Sequence, residues 1–339
     1  MPLTLNANDA DAVALAAQRL AAGSLVGMPT ETVYGLAADA SSASAVKRIF
    51  EAKGRPSDHP LIVHVAPAAE FTDEGWRAVV APFARDVPDF ALALMQAFWP
   101  GPLTLILPRR PDMAAVAAGG QDSVGLRCPS HPGAQALLQA ARAQGVPGVA
   151  APSANRFGRV SPTTAAHVAE EFESLSEDEL VILDGGACPV GIESTIVDCS
   201  RGAPVLLRPG MLTPEQIELV AGKPLRGRDA QAPRASGTLA SHYAPRATVR
   251  LMPAAQIRAA LDLLGREAKN IAVYASARVA VPSSLPQRRM PDSAAACAHE
   301  LFAVLRDLDA TGVRLIWVET PPSEAEWDGV RDRLERASA

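Results

Sequence analysis

The sequence is poor in aromatic residues, and its few cysteines lack metal-binding spacing. Phe, Trp and Tyr make up 4% of the 339 residues, which argues against an RNA-binding surface built from stacked aromatic side chains. Cys128, Cys188, Cys199 and Cys297 form no C-x-x-C pair. This excludes a standard zinc module and suggests reduced thiols in a cytoplasmic protein. We interpret these cysteines as small buried hydrophobic residues.

Several other signatures are missing. The stretch from Phe90 to Pro108 has no charged residue, but Trp99-Pro100-Gly101-Pro102 interrupts it, so we expect a buried helix and a core strand rather than a membrane span. The first residues lack the basic start and apolar core of a secretory signal. The sequence contains no P-loop, G-x-G-x-x-G, H-E-x-x-H or G-x-S-x-G motif.

The net charge limits the class of ligand. It is formally -5, which does not suit a general polyanion binder. Any contact with a nucleotide or RNA must therefore depend on a local cluster of basic residues.

Length and pattern predict two α/β domains. The chain is 48% hydrophobic and longer than one core usually supports. Helices and strands alternate over residues 1–220, and the last three strands there leave no room for helices between them, so we expect a mixed sheet. Residues 221–245 are rich in Gly, Pro, Ser and Arg, which indicates a linker. Residues 246–339 predict a smaller, Rossmann-like three-layer α/β domain.

The most informative stretch runs from Lys53 to His64. Lys53, Arg55 and His59 lie on a short turn, and His64 lies in the apolar strand that follows it. Gly and Pro residues restrict the backbone between the charges, and lysine and arginine are the donors that phosphate recognition uses. A solvated basic turn explains this stretch equally well. A lone histidine in such a strand is more typical of a core residue, although the strand carries His64 toward the same place.

Polar residues also follow or line other predicted strands. Thr30 and Thr32 alternate on a backbone that we expect to be extended, so their hydroxyls point to one face. Ser123 and Arg127 share a strand face with Gly125 between them; Arg127 would suit a ligand carboxylate or, equally, a structural Asp. These residues could line a pocket at the strand ends, where ligands of α/β sheets bind.

Three later motifs add further polar groups. Ser153 and Asn155 follow a buried strand, and Ser194 and Arg208 lie in or beside later strands. Ser161 is predicted to be a helix N-cap followed by Pro162 at the first helical position. That helix would cover residues 163–172. Earlier in the chain, we expect one or two helices over residues 79–98.

Taken in order, eight motifs resemble the YrdC-like family of threonylcarbamoyl-AMP synthases: PTETVYGL, KGRPSDHPLIVH, PGPLTL, VGLRCP, SAN, SPTT, ESTIVD and LRPG. His242-Tyr243-Ala244-Pro245 and the α/β tail resemble the long form of that family. The resemblance implies a YrdC-like twisted mixed sheet followed by a C-terminal domain. It also implies synthesis of L-threonylcarbamoyl-AMP from L-threonine, bicarbonate and ATP with magnesium. The product would pass to proteins that transfer the group to tRNA; a weak direct contact with tRNA is left open.

The resemblance also assigns residues. Threonine or its carbamate would contact Thr32, His64, Arg127, the backbone at Ala151, and Ser194. ATP would contact Lys53, Arg55, His59, Ser123, Ser153, Asn155, Ser161 and Arg208, with Tyr243 reaching over the nucleotide from the linker. Lys53 and Arg55 would be the catalytic residues, and no side chain is predicted to be a metal ligand. His59 stands where the family more often has asparagine. The linker and C-terminal domain would form a lid.

Two other functions fit parts of the pattern. One is a non-catalytic RNA-binding module that uses the same basic concavity, against which the net acidity and scarce aromatics count. The other is a carbamoyl transferase that acts through a carbamoyl-adenylate on a different acceptor, against which the long-form tail counts.

Overall fold

The computed structural model describes residues 1–339 and contains two β-sheets with helices packed against them. The fold is mixed α/β, as predicted. None of its helices combines the length and the apolar character that crossing a bilayer requires.

The larger sheet has ten strands and is mixed. Its strand order is β1-β8-β2-β3-β7-β4-β6-β5-β9-β10, and both parallel and antiparallel pairs occur in it. Its strands are β1 Leu3–Asn6, β2 Leu25–Met28, β3 Gly35–Asp39, β4 Ile62–His64, β5 Leu103–Pro108, β6 Ser123–Arg127, β7 Val149–Ala150, β8 Leu180–Asp184, β9 Thr195–Asp198 and β10 Val205–Arg208.

Seven helices pack against this sheet. Neighbouring residues of one strand pack against different helices. The helices are α1 Ala10–Ala21, α2 Ala43–Lys53, α3 Asp73–Val80, α4 Asp89–Phe98, α5 Pro132–Ala143, α6 Ala165–Glu171 and α7 Pro214–Ala221. Because successive strand residues point to opposite faces, Leu25 packs in a cluster with α2, α3 and α4, whereas Val26 packs in another with α1 and α5. The sheet is therefore covered on both sides.

The smaller sheet is parallel throughout. Its four strands are β11 Thr248–Met252, β12 Ile271–Ala275, β13 Gln287–Arg289 and β14 Leu315–Glu319, in the order β11-β14-β12-β13. The helices are α8 Ala254–Leu264, α9 Ala294–Ala310 and α10 Asp328–Ala337, with 3-10 turns at Gly265–Asn270 and Ala325–Trp327. Residues 222–247, between the two sheets, contain no helix and no strand.

The two α/β units share a hydrophobic cluster. Val33, Val160 and Ile192 from the larger unit pack with Tyr243, and with residues of α9 and α10. This contact fixes the smaller unit against the loops that follow several strands of the larger sheet.

Helices occur in the two regions predicted at residues 79–98 and 163–172, but their bounds and one cap differ from the prediction. Residues 81–88 contain no α-helix, because Pro82 and Pro88 separate α3 from α4. Ser161 is not an N-cap: α6 begins at Ala165, and Thr164 caps it by accepting a hydrogen bond from the backbone N–H of His167. Sequence patterns also missed β1, β3, α3, α7 and β13, most of which are short.

Candidate active site

A small cavity lies between the strand ends of the larger sheet and the segment that joins the two α/β units. It is lined mainly by polar residues from strand ends and from the segment between the sheets. Its lining includes Thr30, Val33, Gly35, Arg55, Ile62, His64, Arg127, Ala151, Pro152, Ser153, Glu193, Ser194, Arg208, Ser236, Gly237, His242 and Tyr243. The structure therefore brings together eight of the fourteen residues predicted for the site.

The basic turn begins where a helix ends. Ser42 caps the start of α2, and Gly54 ends it with φ 62°, a conformation that glycine adopts without the steric cost of a side chain. This leaves Arg55 directly after the helix and buried beside the cavity. Burial, together with the nearby cation of Arg208, lowers the pKa of Arg55 to about 10.

Arg55 and Arg208 form the cationic end of the cavity, and both contact Ser236. Arg208 donates to the backbone carbonyl of Ser236 at 3.0 Å, and Arg55 donates to its hydroxyl at 3.4 Å. The Nε of Arg55 is buried without a hydrogen-bond partner. Two buried guanidinium groups with incompletely used donors suit a phosphate or a carboxylate.

Arg208 is held in place by a strand-end serine. It donates to the Ser194 carbonyl from both Nε and Nη2, at 3.1 and 2.8 Å, and the Ser194 hydroxyl contacts that of Thr104 at 2.7 Å. Ser194 and Arg208 therefore form one buried hydrogen-bonded unit in the cavity wall.

His64 and Arg127 form the other end of the cavity. They are direct neighbours on the adjacent parallel strands β4 and β6. Burial, reinforced by the cation of Arg127, lowers the pKa of His64 to about 3, so the imidazole is neutral at physiological pH. Its Nδ1 has no hydrogen-bond partner.

The partner of Arg127 is a glutamate. The Nη2 of Arg127 lies 2.7 Å from the Oε1 of Glu31, and both side chains are almost fully buried. Glu31 also accepts a hydrogen bond from the Ser130 N–H at 3.1 Å. The carboxylate neutralises the cation without occupying all its donors, so Arg127 can still receive a ligand carboxylate.

Thr30 and Thr32 meet, but in a bend and not on an extended backbone as we predicted. Their hydroxyl oxygens are 2.9 Å apart. The Thr30 hydroxyl also accepts from the N–H groups of Thr32 and Val33 and contacts the Val33 carbonyl at 2.6 Å. These local bonds bend residues 31–33 away from the sheet direction, and only Thr30 of the pair lines the cavity.

Lys53 lies behind the cavity wall. Its ammonium donates to the carbonyl of Ser153 at 2.6 Å and to that of Asn155, and it is absent from the cavity lining. The Asn155 amide in turn donates to the carbonyls of Arg156 and Arg159, at 2.7 and 2.9 Å. In this structure Lys53 and Asn155 hold the loop that carries Ser153.

Three further predicted residues lie outside the cavity. His59 is half-buried and packs edge-on against Phe157, with ring centroids 5.4 Å apart. Ser123 lines an adjacent, more apolar hollow with Ile62, Ile196 and Ser236. Ser161 is buried and donates to the Oε1 of Glu193 at 2.5 Å.

Sequence reasoning missed several residues of the site. Glu31, Glu193, Ser236 and His242 lie within quoted motifs or the linker, but we assigned them no role. An acidic residue inside an otherwise apolar or hydroxyl-rich motif signals a buried ion pair, and both glutamates have one. Tyr243 lies in the cavity wall with φ 62°, and its buried hydroxyl has no partner.

Together, the fold and this cavity define a two-domain α/β protein with an arginine-rich ligand pocket at its domain boundary. A family model described as "Telomere recombination", of the Sua5/YciO/YrdC group, matches residues 18–210. A second, described as "Threonylcarbamoyl-AMP synthase, C-terminal domain", matches residues 212–339. The chain thus belongs to the threonylcarbamoyl-AMP synthase family, which confirms the resemblance drawn from the motifs.

Relatives and solved structures agree with this membership. Threonylcarbamoyl-AMP synthase from Pyrococcus abyssi is 38% identical over 337 residues, which cover 96% of this chain and 94% of the relative. The protein of that name from Bacillus subtilis is 45% identical over 249 residues, 72% of this chain and 67% of the relative. The crystal structure of P. abyssi Sua5 complexed with L-threonine matches with a TM-score of 0.86 at 36% identity and covers 100% of this chain and 97% of that one.

Proposed function

We propose that this protein makes L-threonylcarbamoyl-AMP from L-threonine, bicarbonate and ATP, with release of pyrophosphate. This is the first step in forming threonylcarbamoyladenosine in tRNAs that read codons beginning with A. The observation that supports the proposal is the cavity, which carries His64 and Arg127 at one end and Arg55 and Arg208 at the other, in a chain of this family.

The threonine end is formed by His64 and Arg127, with Thr30 beside them. The related P. abyssi protein has been crystallised with L-threonine. Here the free donors of Arg127 would take the carboxylate of the amino acid. Neutral His64 and the backbone of Ala151 would contact its amine or the carbamate formed from it. Ser194 and Thr30 would supply hydroxyls, and Thr32 would hold the Thr30 hydroxyl from 2.9 Å.

The phosphate end is formed by Arg55 and Arg208. We propose that the triphosphate replaces Ser236 as their partner, with Ser153 beside it and Tyr243 above it. Three residues would act indirectly, by fixing the loops that face ATP: Lys53, Asn155 and Ser161. The nucleoside would lie nearer to Ser123 and His59.

Chemistry at such a site requires alignment and charge neutralisation more than an acid–base pair. The threonine nitrogen forms a bond to the carbon of carbon dioxide derived from bicarbonate and loses a proton. A carbamate oxygen then bonds to the α-phosphorus while the bond to the leaving pyrophosphate breaks. Arg55 and Arg208 would stabilise the charge that develops on the departing phosphates.

Magnesium would enter as part of the substrate. The chain has no group of three or more His, Cys, Asp or Glu residues that could hold a metal ion, and both oxygens of Glu193 are engaged by Ser161 and Arg333. Mg²⁺ commonly binds through substrate phosphates, so we propose that it is carried by the triphosphate. The unstable product would be sheltered by the linker and the C-terminal domain before it passes to the proteins that modify tRNA.

Pyrophosphate release tests this function. The purified protein should release pyrophosphate from Mg-ATP only when L-threonine and bicarbonate are both present. L-serine and a bicarbonate-free buffer are the matched controls. Release that does not depend on threonine, or no release from protein that binds RNA tightly, would rule out the proposed activity.

A further inference from the structure

Arg333 is a fully buried arginine from the last helix of the chain, and it reaches into the first domain. Its side chain is 1% exposed, although it lies on α10, far in sequence from every motif of the site. Its Nε lies 2.7 Å from the Oε2 of Glu193. Its Nη2 donates to the Glu193 carbonyl at 3.2 Å, and its Nη1 donates to the Pro209 carbonyl at 3.0 Å.

These contacts join three separate parts of the cavity wall. Glu193 directly precedes Ser194, and Pro209 directly follows Arg208. The guanidinium carbon of Arg333 also lies 5.4 Å from the centre of the Tyr243 ring, from the linker. One side chain of the C-terminal domain therefore fixes two strand ends and the linker at the phosphate end of the cavity.

Glu193 explains why the charge of Arg333 matters. Burial alone would raise the pKa of this carboxyl, but the cations of Arg333 and Arg208 and the Ser161 hydroxyl lower it overall, so Glu193 is ionised. Its two oxygens are used by Ser161 and Arg333. Without Arg333, a buried carboxylate would face Arg208, the cation that the triphosphate needs.

We propose that Arg333 is a positioning residue for ATP: it holds Glu193 away from Arg208 and thereby keeps the phosphate end of the cavity cationic. Through Arg333, the C-terminal domain would thus set the charge of the nucleotide site as well as cover it. This inference rests on the proposed function for the identity of the nucleotide, but direct binding tests it separately from turnover.

The test measures the binding of Mg-ATP and of L-threonine separately by isothermal titration calorimetry, without bicarbonate so that no turnover occurs. In Arg333→Met, the dissociation constant for Mg-ATP should rise on the order of tenfold or more, equivalent to about 1.4 kcal/mol. The constant for L-threonine should change much less, because Arg127 and His64 lie at the other end. Arg333→Lys, which keeps the charge but loses the planar fork, should give an intermediate value.

The double variant E193Q/R333M separates positioning from a purely structural role. Removing the carboxylate as well should restore much of the affinity for Mg-ATP, because Glu193 then no longer competes for Arg208. Asp332, the other carboxylate paired with Arg333, keeps Arg336 as its partner at 2.8 Å. The matched control is His299→Ala, which removes another contact between the domains, from the His299 Nδ1 to the carbonyls of Cys188 and Pro189 at 3.1 Å each, outside the ATP cavity. It should lower the melting temperature and leave the affinity for Mg-ATP within twofold of wild type.

Equal loss of ATP and threonine affinity in R333M, or no recovery in the double variant, would overturn the inference. If R333M does not fold, R333K and E193Q/R333M decide by the same criteria. Wild-type protein that binds Mg-ATP and threonine but releases no pyrophosphate would overturn the proposed function and leave the role of Arg333 to be judged by binding.

Discussion

At the scale of single residues, the site depends on charges that are removed from water. Arg55, Arg127 and Arg208 are all buried, and of the three only Arg127 has a carboxylate partner, Glu31. A buried charge is tolerated only when it is paired and hydrogen-bonded. The incompletely paired donors of these arginines are therefore the places where anionic ligands contribute most.

The amino acid end should depend on Arg127 and not on Glu31. Replacing Arg127 alone would leave the Glu31 carboxylate buried and unpaired, so the double variant E31Q/R127M is the better protein to test. We expect its affinity for L-threonine to fall on the order of tenfold, because charge-assisted hydrogen bonds to the carboxylate are worth roughly 1.5–3 kcal/mol. Calorimetry with L-threonine measures this loss.

Two controls accompany that experiment. E31Q alone keeps the guanidinium and should retain most of the threonine affinity while lowering the stability of the fold. Mg-ATP should bind E31Q/R127M nearly as well as wild type, since Arg55 and Arg208 are unchanged. Unaltered threonine binding by E31Q/R127M would contradict the assignment.

His64 should make the fold less stable in mild acid. In the unfolded chain a histidine takes up a proton near pH 6.5, whereas burial holds the pKa of His64 at about 3 in the folded protein. The unfolded state therefore binds more protons between these values, and the free energy of unfolding falls as the pH falls below about 6.5. At pH 5 this single group costs about 2 kcal/mol relative to pH 8.

Urea denaturation of wild type and His64→Gln at pH 8 and pH 5 measures this effect. The glutamine variant should lose about 2 kcal/mol less than wild type between the two pH values, because its amide does not titrate. His242→Gln should behave similarly, since burial also lowers the pKa of His242 to about 3. An identical acid-induced loss in wild type and H64Q would contradict this prediction, because it would mean that the pKa of His64 is the same in the folded and the unfolded protein.

The motifs predicted residue types better than residue roles. They located Arg55, His64, Arg127, Ser153, Ser194 and Arg208 at one cavity, because strand ends gather at one edge of the sheet. They did not show that Lys53 would point at two carbonyls, or that Ser161 would bond to Glu193. Those details depend on partners distant in sequence, which no local spacing encodes.

At the scale of secondary-structure elements, the long periodic helices and the buried strands were predictable from hydrophobic spacing. The errors occurred where elements are short or local hydrogen bonds compete with them. Hydrogen bonds to the Thr30 hydroxyl hold residues 31–33 in a bend. Pro88 is the N-cap of α4, so α4 begins there as a helix separate from α3. The strand β3, with the sequence GLAAD, has little β propensity and forms because it pairs with β2 and β7.

A glycine turn determines how closely α9 approaches the first domain. Gly191 has φ 85°, and a Cβ placed on it would lie 2.3 Å from the Ala298 carbonyl oxygen of α9. Gly191→Ala should therefore lower the free energy of unfolding through backbone strain and through overpacking, the latter costing roughly 1–3 kcal/mol. It should also expose residues 222–247 to limited proteolysis, because the domains cannot dock closely.

Gly186 provides the matched control. It has a similar φ of 82°, but a Cβ there would meet no atom within 4 Å. Gly186→Ala should therefore show the backbone cost alone, roughly 1 kcal/mol, with proteolysis like that of wild type. Equal stability and equal cleavage of the two variants would mean that the contact at Gly191 is not needed for docking.

At the scale of the whole molecule, we expect the two α/β units to unfold together in one cooperative transition. The sequence predicted two cores separated by a linker, but the structure shows a hydrophobic cluster that contains residues of both units. A buried ion pair at Arg333 and a partly buried one at Arg306 cross the same boundary. Because burying the faces of this boundary stabilises both partners, separation should be costly and unfolding cooperative.

The four tryptophans allow this cooperativity to be measured in each unit. Trp76 and Trp99 lie in the first, Trp317 and Trp327 in the second, and all four are buried. One variant, W317F/W327F, reports on the first unit by fluorescence, and W76F/W99F reports on the second. In each variant the fluorescence midpoint in urea should coincide with the midpoint from far-ultraviolet circular dichroism, which follows the whole chain.

Removing one contact at the boundary should separate the transitions. Ile192 is fully buried in the shared cluster, so Ile192→Ala should cost about 2–5 kcal/mol by leaving a cavity between the units. In this background the fluorescence and dichroism midpoints should diverge, because each unit keeps its own core but loses part of its support from the other. Midpoints that already differ without I192A would show that the units fold independently, and the C-terminal domain could then act on the nucleotide site only after docking.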